Sequence, residues 1–121
     1  MTLTEHQIAT LARTKEVHIG TRTNGKAIKT IIWIVVADGK VYVRSVRGDS
    51  GRWYERALAD PDVTIHADSE TFEFRAIPVE DPVEIDAVTA ALREKYPPGG
   101  SLDRMIRDEV LDTTLRLEPS D

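Results

Sequence analysis

Alternation of hydrophobic and polar residues predicts strands along much of the chain. In 15–22, Val17, Ile19 and Thr21 fall on one face of an extended segment, which is typical of a strand with one buried side. The segment 27–37 is instead apolar on both faces, which predicts a strand covered on both sides. Together with the other segments of this kind, the pattern predicts six strands, over 15–22, 27–37, 40–46, 63–67, 71–79 and 111–117.

Turn and helix signals indicate how these strands are connected. Asn24-Gly25 and Asp38-Gly39 tolerate the positive φ angles of a two-residue turn, so each predicts a hairpin. Thr4, followed three residues later by Gln7, predicts the start of a helix. Helices are predicted over 4–13, 52–59 and 83–96, with one or two further helical turns within 102–110.

These elements predict a fold class. Strands that are joined by hairpins rather than by helices favour an antiparallel barrel over a parallel sheet. We therefore predict a mainly β (α+β) fold, a six-stranded antiparallel barrel with three or four short flanking helices. At 121 residues, without a linker or a repeat, the chain is predicted to form one domain over residues 1–121.

Composition narrows the class of function. The net charge of −5 opposes a general nucleic-acid or membrane-surface binder. The absence of cysteine excludes disulfides, thiolate metal sites and a cysteine nucleophile. Residues 1–13 lack the apolar core of a signal peptide, and the apolar run 31–37 is too short to span a bilayer. We therefore expect a cytoplasmic protein with no membrane partner.

Catalytic side chains are not evident in the sequence. His6, His18 and His66 do not have the spacing of metal ligands, so we interpret the latter two as half-buried strand histidines that neighbour one another. The chain contains no Ser-His-Asp elbow, no Walker loop and no dinucleotide-binding glycine pattern. These absences oppose a hydrolase or a nucleotide-binding enzyme of the common types.

Positive charge is concentrated in one stretch of this acidic chain, and we call residues 44–56 the arginine segment. Arginine presents a planar fork of donors that matches phosphate oxygens in pairs. Glycines at 48 and 51 let backbone N–H groups approach an anion, and a helix starting at Arg52 favours negative charge at its first turn. The segment therefore predicts a phosphate site, with a solvated loop of surface arginines as the alternative.

The order of motifs resembles a known superfamily. An apolar strand with Trp33 near its middle is followed by an Asp-Gly hairpin, by the sequence Tyr-Val-Arg-Ser-Val-Arg-Gly at 42–48 and by a Trp-Tyr pair at 53–54. Asp-Pro-Asp-Val-Thr-Ile at 60–65 and Thr-Thr-Leu-Arg-Leu-Glu-Pro at 113–119 complete the pattern. Over 14–119 the chain resembles the split β-barrel flavin-binding superfamily, which includes pyridoxamine-phosphate oxidases and deazaflavin-dependent nitroreductases. Within it, the chain is similar to a small bacterial family of uncharacterised proteins.

This resemblance implies a split barrel and a homodimer with two cofactor sites at the subunit interface. The cofactor would be FMN or a deazaflavin coenzyme. Its phosphate would be held by Arg44, Ser45, Arg47, Ser50 and Arg52, with Trp53 adjacent. The ring would lie beside Thr30, Ile31, Ile32 and Trp33, and Arg22 would approach the same anion from one strand away.

The resemblance leaves the choice of cofactor open. The basic-aromatic strand motif of the pyridoxamine-phosphate oxidases is not evident, which opposes pyridoxal chemistry. Near the N-terminus only Arg13 and Lys15 are available for the acidic tail of a deazaflavin coenzyme. The leading hypothesis is an oxidoreductase acting on a small molecule through its cofactor. A second is a non-enzymatic dimer that binds heme, a small phosphorylated ligand or nothing. A third is a nucleic-acid module, which the acidity of the chain opposes.

Overall fold

Antiparallel strands form one curled sheet in the computed structural model, which describes residues 3–120. Its seven strands are β1 (Glu16–Thr23), β2 (Lys26–Trp33), β3 (Val35–Ala37), β4 (Lys40–Val43), β5 (Asp62–Ala67), β6 (Glu70–Pro78) and β7 (Leu115–Pro119). They lie in the order β2-β1-β5-β6-β7-β4-β3, and every neighbouring pair is antiparallel. The predicted fold class, mainly β with flanking helices, is confirmed.

Four α-helices flank the sheet: α1 (Glu5–Arg13), α2 (Arg52–Ala59), α3 (Pro82–Lys95) and α4 (Gly100–Ile106). Two 3₁₀ helices, Gly48–Ser50 and Asp108–Thr113, precede α2 and β7. The predicted capping box is present, since Thr4 accepts a hydrogen bond from the Gln7 amide and its own amide donates to the Gln7 side chain. The part of the chain between residues 3 and 120 includes no helix of the length and hydrophobicity that a membrane crossing requires.

The predicted hairpin turns are confirmed by their backbone geometry. Asn24 and Gly25 have φ angles of 50° and 76°, and Asp38 and Gly39 have φ angles of 51° and 73°. Positive φ at both central residues gives a turn whose twist matches that of the flanking strands. These turns set the register of β1 with β2 and of β3 with β4.

The two edge strands of the sheet, β2 and β3, are consecutive in the chain and meet at Ile34. The sheet therefore curls until its edges share this one residue, and the barrel stays open along the rest of β2. The prediction of one strand over 27–37 is wrong, because the backbone of Ile34 bonds to the Tyr96 hydroxyl instead of to a strand. It is also wrong that both faces are covered, since Ile31 is 58% exposed. This break raises the number of strands from six to seven.

Two other predicted strands are shorter in the structure than the alternation indicates. Residues 111–113 belong to the second 3₁₀ helix, in which the Thr113 hydroxyl donates to the Val110 carbonyl at 2.7 Å. The strand predicted over 40–46 ends at Val43, because Arg44 and Ser45 bond to α3, α4 and the segment before β7. Side-chain contacts from distant parts of the chain therefore override the local pattern at both places.

Two hydrophobic clusters stabilise the fold. One fills the barrel with inward side chains of six strands together with residues of α1 and α2, among them Leu11, Ile19, Ile65 and Phe74. The other, which includes Tyr42, Val88 and Leu92, lies between the outer face of β3 and β4 and the helices α3 and α4. Since α2 packs on one side of the barrel and α4 on another, the open edge of β2 is flanked by two helices.

Candidate functional site

A cavity of about 750 Å³ lies along the open edge of β2. Its floor is β2, and its walls are the arginine segment on one side and α4 on the other. Pockets of roughly 300–1,000 Å³ are typical of small-molecule and cofactor sites. Nine of the eleven site residues predicted from the sequence line it: Thr30, Ile31, Ile32, Trp33, Arg44, Ser45, Arg47, Arg52 and Trp53.

The floor of the cavity is apolar and has unpaired backbone groups at its edge. Ile28, Ile31, Ile32 and Trp33 line it. Because β2 is hydrogen-bonded to β1 alone, alternate N–H and C=O groups of β2 point towards the cavity. Such an edge offers hydrogen-bond donors and acceptors to the rim of a flat ring that lies against the strand.

The wall formed by the arginine segment is strongly basic. Arg47 and Arg52 are exposed, and within residues 3–120 their guanidinium groups form no hydrogen bond or ion pair. Arg56, one helical turn after Arg52, is half-buried and donates from Nε to the Thr21 hydroxyl at 2.7 Å. Thr21 is fully buried on the inner face of β1, so this bond fixes the direction of the Arg56 side chain.

A tight turn brings this wall close to the end of β4. The Ser45 hydroxyl donates to the Gly48 carbonyl at 2.8 Å, and a Cβ on Gly51 would lie 2.3 Å from the same hydroxyl oxygen. Gly48 has a φ of 66°, which a residue with a side chain rarely adopts. The turn therefore needs both glycines, and it leads into α2, whose first amides have no partner within the helix and favour negative charge.

Arg44, predicted to hold the phosphate, lies at the cavity wall with its guanidinium bonded to other parts of the protein. Its side chain is 2% exposed. The guanidinium donates to the Thr114 and Thr89 hydroxyls at 2.9 and 3.1 Å and to the Met105 and Ile85 carbonyls at 3.0 and 3.2 Å. Burial lowers its pKa to about 10. Although Arg44 touches the cavity wall, its guanidinium forms four hydrogen bonds within the protein, and these bonds join the end of β4 to α3 and α4.

The remaining two predicted site residues, Arg22 and Ser50, lie outside the cavity. The Ser50 hydroxyl donates to the Arg47 carbonyl at 2.8 Å, within its own turn. Arg22 lies on the outer face of β1, because Val17, Ile19 and Thr21 take the inner face. Neither belongs to the set of lining residues.

Trp33, at one end of the floor, is held by the end of α3. Its ring stacks on that of Tyr96 with centroids 3.8 Å apart and an angle of 3° between the planes. The Tyr96 hydroxyl accepts from the Ile34 amide and lies within hydrogen-bond distance of the Lys15 and Ile34 carbonyls. Burial raises the pKa of Tyr96 to about 12, so this hydroxyl stays protonated near neutral pH.

Lys95 completes the anchor at this end. Its ammonium donates to the Ile34 carbonyl at 2.6 Å and to the Leu11 carbonyl at 3.0 Å. Burial, with a smaller contribution from the nearby Lys15, lowers the pKa of Lys95 to about 8. The position of Trp33 in the cavity therefore depends on two neighbouring residues that follow it by some sixty positions in the chain.

Sequence reasoning missed several lining residues. Arg56 lies four residues after Arg52, which places both on one face of α2, so helical spacing could have found it. Ser101 and Arg104 on α4 also line the cavity. No local signal indicates them, because they reach the site only through the packing of α4 against α3 and β4.

The histidines and carboxylates do not belong to this site. His18 and His66 are direct neighbours across β1 and β5, as interpreted from the sequence, but only His66 is half-buried, since His18 is exposed. Neither lines the cavity. The described residues hold no group of three or more histidine, cysteine, aspartate or glutamate side chains placed to bind a metal. Glu84 accepts from Tyr42 and Arg116, which lowers its pKa and ties α3 to β4 and β7.

A model of a known protein family matches most of the chain. Residues 7–117 match the model of a family described as "Uncharacterized protein conserved in bacteria (DUF2255)". The chain belongs to this family. The predicted similarity to a small bacterial family is thus confirmed. No curated protein matches the chain in sequence.

Solved structures share the fold at low sequence identity. A putative pyridoxamine 5'-phosphate oxidase from Listeria innocua gives a TM-score of 0.68 at 13% identity, over 94% of this chain and 90% of that one. The heme storage protein HutZ from Vibrio cholerae gives 0.71 at 19%, over 100% and 92%. An F420-H2-dependent reductase, FDR-A, gives 0.63 at 20%, over 85% and 93%. The resemblance to the split β-barrel flavin-binding superfamily is confirmed at the level of the fold.

Proposed function

We propose that this protein is an oxidoreductase that binds FMN or a deazaflavin coenzyme in the cavity along β2 and acts on a small molecule. The observation that carries the proposal is the combination of an apolar floor, an open strand edge and an arginine-rich wall in one cavity of about 750 Å³. When bound, the cofactor supplies the redox chemistry, and the protein binds it, orients it and shields it from water.

The floor suits the ring of such a cofactor. Thr30, Ile31 and Ile32 line the floor from successive positions of β2, and Trp33 closes its end. The unpaired edge of β2 supplies backbone donors and acceptors for the polar rim of the ring. Because Tyr96 holds the indole of Trp33 in a stacked position, this end of the floor is ordered before any ligand arrives.

The wall formed by the arginine segment suits the phosphate. Arg47 and Arg52 project from the turn and from the first residue of α2, and Ser45 lies behind them. Guanidinium groups and the first amides of a helix both favour a phosphate dianion. Arg44 contributes by holding the end of β4 in place and not by contact with the ligand.

We also propose that two copies of the chain form a homodimer that covers the open side of the cavity. Ile31 and Val46, which both line the cavity, are 58% and 40% exposed. Apolar side chains exposed at the mouth of a cavity, beside an unpaired strand edge, favour cover by another protein surface. A second copy brings a second cavity to the same interface.

Cofactor binding tests the function directly. Purified protein titrated with FMN, or with a deazaflavin coenzyme, is expected to bind one of them at micromolar concentration. The fluorescence of the bound ring is expected to be quenched, because Trp33 and Trp53 lie in the cavity. If neither cofactor binds at that concentration, the proposal is wrong; a heme titration that saturates would then support the non-enzymatic alternative with heme as its ligand.

A variant series tests the phosphate site. Arg52→Gln is expected to weaken FMN binding about tenfold or more, the usual loss for a hydrogen bond to a charged group. Riboflavin, which lacks the phosphate, should bind the variant and the parent equally. Arg93→Gln on α3 is the matched control, since Arg93 is exposed and lies outside the cavity. Equal FMN affinity in all three proteins would show that the arginine segment does not bind the phosphate of FMN.

A further inference from the structure

We propose that Ser101 and Arg104 on α4 form a second anion-binding subsite in this cavity. It would take a carboxylate or phosphate group other than the cofactor phosphate held by the arginine segment. The inference rests on the proposed function, because it takes the arginine segment as the primary anion site. The group it binds belongs either to the tail of the cofactor or to a separate anionic substrate.

Charge balance gives the first argument. Five arginines and a single glutamate line the cavity. Arg44 is bound inward, which leaves Arg47, Arg52, Arg56 and Arg104. A monophosphate carries at most about two negative charges near neutral pH. The cavity therefore stays positive after the cofactor phosphate binds, and a positive cavity attracts a second anionic group.

The direction of the Arg104 side chain gives the second argument. Ser101 and Arg104 lie three residues apart on α4, so they share one face of the helix. The Nη2 atom of Arg104 lies 4.0 Å from the position that a Cβ on Gly100 would occupy. The guanidinium therefore lies over the first turn of α4, the turn that contains Ser101. Within residues 3–120 it forms no hydrogen bond or ion pair with another side chain.

The course of α4 separates this subsite from the arginine segment. Met105, near the end of α4, is joined to Arg44, and Arg107 donates to the Val46 carbonyl at 2.7 Å. The end of α4 therefore lies against the arginine segment, whereas its first turn lies about 7 Å farther along the helix axis, at 1.5 Å rise per residue from Gly100. An anion beside Ser101 therefore lies farther along α4 than the contacts of this helix with Arg44 and Val46.

The ends of the cavity are also distinguishable along β2. Tyr96, which stacks on Trp33, is separated from the start of α4 by three residues, so the first turn of α4 lies towards the Trp33 end. Arg56 is bonded to Thr21, whose partner on β2 is Ile28, so Arg56 marks the other end. Ile28 and Trp33 are five positions apart on the strand, which corresponds to a distance of about 16 Å along it. The new subsite thus lies beyond the predicted ring position, far from Arg56.

Glu16 is the acid that bears on this subsite. It is the cross-strand partner of Trp33 and the single acidic residue lining the cavity. Its carboxylate forms no ion pair with Arg104 in the part of the chain that the structure describes. Its negative charge opposes a bound anion at this end, so Glu16→Gln should strengthen anion binding where Arg104→Gln weakens it.

The experiment has two arms, which distinguish the two sources of the anion. In the first, FMN and a deazaflavin coenzyme with a carboxylate tail are titrated into the parent protein and Arg104→Gln. A loss of about tenfold for the tailed coenzyme alone assigns the subsite to the cofactor. In the second, the FMN-loaded protein is titrated with 4-nitrobenzoate and 4-nitrobenzyl alcohol. A similar loss for the carboxylate alone assigns it to a separate substrate. In both arms, Arg93→Gln on α3 should match the parent.

Cofactor-free protein separates this inference from the proposed function. If FMN and the deazaflavin coenzyme both fail to bind, the proposed function is wrong, and 4-nitrobenzoate is titrated alone with tryptophan fluorescence as the readout. The subsite is supported if Arg104→Gln binds more weakly and Glu16→Gln more tightly while Arg52→Gln is unchanged. It is overturned if Arg104→Gln matches the parent in every titration, or if it weakens FMN and riboflavin equally.

Discussion

Arg44 shows how one side chain can join elements that are far apart in the chain. It donates hydrogen bonds to groups on α3, on α4 and before β7 while remaining buried. Replacement by methionine keeps much of the apolar stem but leaves two hydroxyls and two carbonyls without this donor. We expect Arg44→Met to lower the free energy of unfolding by about 3 kcal/mol, measured by urea denaturation.

Arg52 is the matched comparison at the same scale. It is exposed and forms no hydrogen bond or ion pair within residues 3–120, so Arg52→Gln should change the free energy of unfolding by less than about 0.5 kcal/mol. The change in the free energy of unfolding in each variant then distinguishes an arginine that stabilises the fold from one that is available to a ligand. A stability loss in Arg44→Met no larger than that in Arg52→Gln would contradict the assignment of Arg44 as a structural residue.

The sequence could predict the basic segment but not the roles of its arginines. Four arginines close together are visible in the chain, and most of the predicted site residues do lie in one cavity. Whether a guanidinium faces a ligand depends on acceptors that come from 41 to 70 residues away, such as the Ile85 carbonyl and the Thr114 hydroxyl. Local pattern contains no information about those partners.

At the scale of elements, the end of α3 controls the bend between β2 and β3. Lys95 bonds to the Ile34 carbonyl, and its pKa is lowered to about 8 by burial and by Lys15. The unfolded chain therefore binds more protons at this lysine than the folded protein does between about pH 8 and 10.5. Over that window, stability should rise with pH as the cost of burying the charge disappears.

Comparison with Lys95→Met isolates this effect. The difference in free energy of unfolding between the parent and the variant, measured by urea denaturation from pH 7 to pH 10, should shift in favour of the parent as pH rises. Ionisation of other groups contributes equally to both proteins and cancels in the difference. A difference that is flat across this range would mean that the Lys95 side chain is as well solvated in the folded protein as in the unfolded one.

The bend itself is an example of what periodicity cannot predict. Residues 27–37 form one continuous apolar pattern, and nothing in it marks Ile34 as the residue where pairing changes from β1 to β4. The hairpins were predictable because their turn residues are adjacent in sequence. The bend depends on Tyr96 and Lys95, whose contacts with it span 61 or 62 residues.

For the whole molecule, the open edge of β2 is the feature that the proposed homodimer explains. Ile31 is 58% exposed at the mouth of the cavity. If a second copy covers it, Ile31→Asp should place a charge in the interface and give a monomeric mass by light scattering at micromolar concentration. Val83→Asp is the control, since Val83 is 76% exposed on α3 and outside the cavity, and it should leave the mass unchanged.

Two results would contradict the dimer. One is a monomeric mass for the parent protein at the same concentration. The other is a dimeric mass for Ile31→Asp, which would place the interface on another surface. Should the dimer persist in the variant, cofactor affinity would show whether the cavity is still covered.

The position of β7 in the sheet has a consequence for how the protein is made. Three hairpins pair strands that are neighbours in the chain, but β7 alone connects the sheet of β2, β1, β5 and β6 to the pair β4 and β3. Of the seven strands, it is the last to leave the ribosome. Until then the nascent chain holds two unconnected pieces of sheet with exposed edges, and the cavity between β2 and the arginine segment has no fixed shape. The cavity is thus expected to take its shape only after synthesis of the final strand.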